Sequence, residues 1–191
     1  MKPSDSLVPG STGDDPLSRT RDWVERAVIG LNLCPFAKSV QIKGQVRYVL
    51  SEATETTDLK ALLAQELQHL VHTDPEVTDT TLIVHPHVLQ DFLDFNDFLD
   101  EADALLDELG LEGTLQIASF HPQFQFAGTA PDDITNYTNR TPYPTLHLLR
   151  EASIDRAVEA FPEAEAIYER NMETLQRLGL DGWNGLFARA R

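Results

Sequence analysis

The sequence predicts an α/β fold: a β-α-β-α-β core sheet covered by helices, with an extra N-terminal helix and a C-terminal helical segment. Three observations predict it. Residues 45–51, 80–84 and 114–120 are short apolar runs, alternating or β-branched, of strand length. The two segments between them carry apolar residues at helical spacing. Helical crossovers of that length favour parallel strands and right-handed connections. A ferredoxin-like α+β sandwich with a mixed sheet is the alternative, because spacing does not set strand direction.

Each element has a local cause. Residues 1–14 are rich in Ser, Pro, Gly and Asp and read as a disordered tail. Residues 15–191 read as a single globular α/β domain. Asp15-Pro16 starts a helix as N-cap and first-turn proline. Trp23, Val24, Ala27, Val28 and Leu31 share its inner face, and Gly30 and Pro35 bracket its end. Val46, Tyr48 and Leu50 alternate along the first strand. Thr57 is positioned to cap a helix carrying Leu59, Leu62, Leu63, Leu67, Leu70 and Val71. The run at 80–84 suits a buried strand. A helix from about Val88 to Leu109 follows, with Phe95, Phe98, Ala102 and Leu105 inward and Gly110 as its stop.

After the third strand the pattern changes. Residues 121–144 hold four prolines, several aromatics and little periodicity, a long irregular connection of a kind uncommon unless functional or disordered, and the aromatics argue for order. Helices are predicted again at 145–151, 153–161 and 163–178. Gly179 is a stop, and Trp183, Leu186 and Phe187 form a docked C-terminal turn.

Charge and cysteine count narrow the function. Acids outnumber Lys and Arg by 31 to 15, for a net charge of −16. Such a surface opposes nucleic-acid binding and anionic membranes, which both need basic residues. Cys34 is the only cysteine, so no internal disulfide forms and a cytoplasmic setting is expected. No apolar run has the length of a membrane span.

Several blocks carry a family resemblance. They are Asn32-Leu33-Cys34-Pro35-Phe36-Ala37, Val88-Leu89-Gln90-Asp91-Phe92-Leu93, and 118–131 with its Ser119-Phe120-His121-Pro122 and Ala127-Gly128-Thr129-Ala130-Pro131. Asn139-Arg140, Pro142-Tyr143-Pro144-Thr145 and His147-Leu148-Leu149-Arg150-Glu151 extend it. The chain resembles the domain of unknown function 1415 family over nearly all its length beyond the tail. The resemblance implies a bacterial-type soluble protein and supplies no activity, cofactor or catalytic residue.

Chemistry is therefore read from side chains, and the segment 119–151 concentrates them. Ligands in open α/β sheets bind beyond the carboxyl ends of parallel strands. His85 and His121 each follow a predicted strand directly. His121 is the expected proton-transfer residue, since imidazole suits proton transfer near neutral pH. His147 is second, with Glu151 four residues on and predicted to share its helical face. Arg140 and Arg150 are expected to hold a small anionic metabolite, because the guanidinium fork pairs with carboxylate or phosphate. Asn139, Tyr143 and His85 are expected to contact the same ligand. Cys34, at the start of a predicted helical turn and near Lys38, is either a nucleophile or part of the pocket wall. The best reading is a small enzyme using histidine acid/base chemistry; the sequence leaves its cofactor unknown. Two alternatives stand: a divalent-metal site or metal-dependent hydrolase built from His85, His87, His121 and Glu151, and a non-enzymatic binding or regulatory module.

Overall fold

The computed structural model describes residues 15–161, 163 and 166–188. The expected disordered tail at 1–14 lies outside them. The fold is a mixed α/β arrangement around one four-stranded sheet. Helix α1 (Pro16–Trp23) starts at Asp15, whose carboxylate accepts from the N–H groups of Leu17 and Ser18. It runs into a π-helical segment, Val24–Ile29. Then come α2 (Ala37–Ile42), β1 (Val46–Leu50), α3 (Thr56–His72), β2 (Thr80–Val84), α4 (Phe92–Glu108) and β3 (Leu115–Phe120). A 3-10 turn (Ile134–Thr138), β4 (Thr145–Arg150), α5 (Glu151–Ala160) and α6 (Ile167–Leu186) complete the order.

The strand order is β1-β2-β4-β3. β1 pairs parallel with β2, and β4 pairs antiparallel with both β2 and β3. β1, β2 and β3 therefore run one way, as the helical crossovers predict. β4 fills the gap between β2 and β3 in the opposite direction. This corrects the helix expected at 145–151. In an extended chain Leu146 and Leu148 alternate onto one face with zero exposure, and that non-local pairing decides the conformation. Two smaller corrections concern helix starts. α3 begins at Thr56, so Thr57 lies within its first turn rather than at its cap. α4 begins at Phe92 behind an Asp91 cap, because Leu89 turns the chain at φ 57°.

Each sheet face has its own core. On the first face, α3 and α4 bury Leu59, Leu63, Leu67, Phe95, Phe98 and Leu105 against Ile83, Leu146 and Leu148. Arg47 on β1 bonds Glu66 on α3 through two nitrogens, at 2.8 and 3.1 Å. On the second face, α1, the π segment and α6 bring Trp23, Val24, Ala27, Leu175 and Trp183 against Leu82 and Phe120. α6 bends at Gly179, whose φ of 65° favours glycine, so Trp183 docks as the sequence suggests.

Candidate ligand-binding site

The second face of the sheet is incompletely filled. Register places Thr80 beside Leu149 and Gln116 in one row, and Leu82, His147 and Ala118 in the next. Strand parity turns these residues toward the helices above. Ala118 is small where its row neighbours are large. A cavity of about 400 Å³ lies there, within the ~300–1,000 Å³ typical of small-molecule sites. Its floor is the sheet. Its walls include Trp23, Val28, Cys34, Phe36 and Val40 from the N-terminal elements, Ile154 and Ala157 from α5, and Asn171 from α6.

The walls are placed by local backbone chemistry. The π segment ends at Gly30, whose N–H bonds the Glu25 carbonyl at 3.0 Å. A Cβ at Gly30 would lie 2.2 Å from the Arg26 carbonyl oxygen, so only glycine fits that turn. Asn32 follows at φ 55°, returning the N–H groups of Leu33 and Cys34 to the Val28 carbonyl. Asn171 donates to the Leu33 carbonyl at 2.9 Å and fastens α6 to this loop.

His147 is the polar centre of the floor. Its Nε2 lies 2.7 Å from Thr80 Oγ1, which also bonds the Leu148 carbonyl at 2.7 Å. A hydroxyl has one proton, and the carbonyl can only accept. Thr80 therefore donates to Leu148 and accepts from His147. The imidazole carries its proton on Nε2, and Nδ1 keeps a lone pair with no hydrogen-bond partner among the described residues. Burial pushes the ring down from an ordinary 6.5 to about 4, so it is neutral at physiological pH.

Cys34 and Asn139 also line this cavity, so the structure brings together three residues that the sequence analysis selects. Cys34 supports the wall role. The N–H groups of Phe36 and Ala37 act on its sulfur, but burial outweighs them and pushes the thiol above its ordinary range. Asn139 donates its side-chain amide to the Ser119 carbonyl, and its own carbonyl accepts from the His121 N–H.

The remaining candidates lie elsewhere. His85 and His121 do emerge at the same sheet edge, but both are fully buried and pack against Phe95. His121 accepts from the Gln123 N–H at Nδ1, and its Nε2 lies 3.2 Å from the Leu89 carbonyl. With both nitrogens engaged, the ring holds the loop and is not free for proton transfer. His85 Nδ1 meets the Val88 carbonyl at 3.1 Å, and its Nε2 has no partner. Glu151 shares no helical face with His147, since one ends in β4 and the other starts α5.

The arginines bind backbone. Arg140 donates to the carbonyls of Phe124 and Pro131 and stacks on Tyr137. Arg150 donates to the carbonyls of Leu70 and Thr73 at the end of α3 and of Thr78 in the loop before β2. Tyr143 accepts from Arg19 at 3.0 Å, away from the cavity. Among the described residues no three His, Cys, Asp or Glu side chains are grouped to hold a metal. His85, His87, His121 and Glu151 form no such group there; His87 sits exposed, 3.8 Å from Glu52.

Thr80, Gln116, Ala118, Asp79 and Ser153 line the site and escape the sequence reading. For Thr80, Gln116 and Ala118 the signal is strand parity, which becomes readable only once 145–150 is taken as a strand. A polar Gln116 and a small Ala118 on one strand face then mark an unfilled surface.

The architecture is thus that of a mixed α/β protein with a ligand-sized cavity on one sheet face. A family model described as Protein of unknown function (DUF1415) matches residues 15–185, and the chain belongs to that family. No curated protein and no solved structure matches it. Among the described residues no helix is long and apolar enough to cross a membrane.

Proposed function

We propose that this protein binds a small molecule in the sheet-face cavity, with His147 as the group that meets it. One observation carries the reading: Thr80 ties up Nε2 and leaves Nδ1 of this cavity-lining imidazole an acceptor with no partner among the described residues. A base held near 4 removes protons poorly at neutral pH. This favours a binding role over the general-base enzyme expected from the sequence. The arginine-anchored anion also loses support, because both guanidiniums serve backbone carbonyls. The free thiol of Cys34 supports a cytoplasmic setting.

The test is a titration of isotope-labelled full chain with cyclohexanol, followed by NMR. Saturable shifts of the Ala118 methyl and the His147 imidazole are expected, and Ala118→Phe should abolish them. Cyclohexanol shifts that avoid both residues would overturn the assignment of this cavity.

A further inference from the structure

We propose that the ligand is an uncharged molecule with an apolar body and a hydrogen-bond-donor head, a hydroxyl or carboxamide, seated with that head on His147 Nδ1. This rests on the reading of the cavity as the ligand site. The lining decides the body: Leu82 and Phe120 on the floor and Val28 and Ile154 on the walls present carbon, which favours apolar surface.

Charge decides the head. An anion would need a cation, and no Lys or Arg occurs among the described lining residues. Desolvation without such a partner is strongly unfavourable. A cationic head would need an uncompensated carboxylate. Asp79 is the one carboxylate among the described lining residues, and it is already served. Its Oδ1 accepts from the Ser153 hydroxyl at 2.6 Å, Ser153 accepts in turn from Arg156 at 3.0 Å, and Asp79 acts electrostatically on Arg150. The local charges balance without a ligand charge. Two ring nitrogens of the lining lack partners among the described residues: the neutral acceptor at His147 Nδ1, whose complement is an O–H or N–H, and the buried Trp23 Nε1–H, whose complement is a lone pair; a hydroxyl or carboxamide carries both. Gln116 adds an amide with no hydrogen-bond partner among the described residues, one row along the same face.

Four probes with one body separate the heads: octanol, octanamide, octylammonium and octanoate, titrated calorimetrically into the full chain at neutral pH. Octanol and octanamide should bind at least about tenfold more tightly than either ion, a difference of about 1.4 kcal/mol. Two cavity-filling variants, Ala118→Phe on the floor and Val28→Phe on a wall, should each suppress that binding. Circular dichroism selects the variant that keeps the fold. If octylammonium or octanoate binds as tightly as octanol, and a folded filled variant suppresses it, the uncharged class is wrong while the cavity stands. If no probe binds, or filling changes nothing, the cavity reading itself falls and the inference with it.

Discussion

Thr80 Oγ1 stands between His147 Nε2 and the Leu148 carbonyl, 2.7 Å from each, and so fixes which imidazole nitrogen is bare. Thr80→Val keeps the shape and removes the hydroxyl. The buried Nε2–H and the Leu148 carbonyl both lose a partner, which costs about 1–3 kcal/mol of stability. Without that acceptor the proton is free to move to Nδ1, and binding of octanol should weaken with it. Nitrogen NMR of the imidazole reads the tautomer directly. An unchanged Nε2–H tautomer in the folded variant would contradict the hydrogen-bond assignment.

The fold was more legible in the sequence than the site. Long helical periods around Leu63 and Phe98 and the β-branched run at 80–84 identify α3, α4 and β2, because each pattern is carried locally. β4 is different. Thr145-Leu146-His147-Leu148-Leu149-Arg150 is short, apolar and compatible with either periodicity. Its state is set by pairing with β2 and β3, which are distant in the chain. That one element also hid the site. With 145–150 as a helix, His147 faces Glu151; with it as a strand, His147 bonds Thr80 on the sheet and lines one cavity with Cys34. The strand-end rule correctly put His85 and His121 on one edge, but Phe95 and the carbonyls of Val88 and Leu89 enclose them there.

Acid should destabilise the protein through its buried rings. His85 and His147 are each pushed from 6.5 to about 4 by burial, and His121 is pushed down as well. In the unfolded chain these groups take up protons near 6.5, while in the folded chain they do not. The unfolded state therefore binds more protons below that pH, and stability falls as pH drops from about 6.5 toward about 4. Each ring at about 4 contributes on the order of 2 kcal/mol of loss by about pH 5. Urea unfolding at pH 7 and pH 5 measures it. His85→Phe should flatten the slope, and a stability unchanged between the two pH values would refute the buried neutral rings.

Arg150 separates a structural cation from a ligand anchor. Its Nη2 reaches three carbonyls at 2.6, 2.7 and 3.0 Å and joins β4 to the end of α3. Arg150→Met strands those carbonyls and should cost about 2–3 kcal/mol, as for hydrogen bonds to a charged group. Octanol affinity should stay within about twofold of wild type, since each tenfold would require about 1.4 kcal/mol of lost contact. Denaturant midpoints and calorimetry on the same sample decide it. Normal stability with lost affinity would return Arg150 to the site.

Cys34 lines the same cavity as His147 and reports on it through its thiol. The thiolate is the reactive form, and burial raises the thiol above its ordinary 9.0 despite the N–H groups of Phe36 and Ala37. The sign follows: at neutral pH a smaller thiolate fraction exists than in a free cysteine, so alkylation by iodoacetamide should be slower. The rate should climb only as pH passes the ordinary thiol range. Cys34 shares the cavity with His147, so saturating octanol should slow the reaction further by excluding the reagent. Mass spectrometry of the intact chain follows the single adduct. Alkylation faster than free cysteine would mean an activated thiolate and would restore the nucleophile reading. Slow alkylation indifferent to octanol would separate Cys34 from the ligand and leave His147 and Ala118 to define the site.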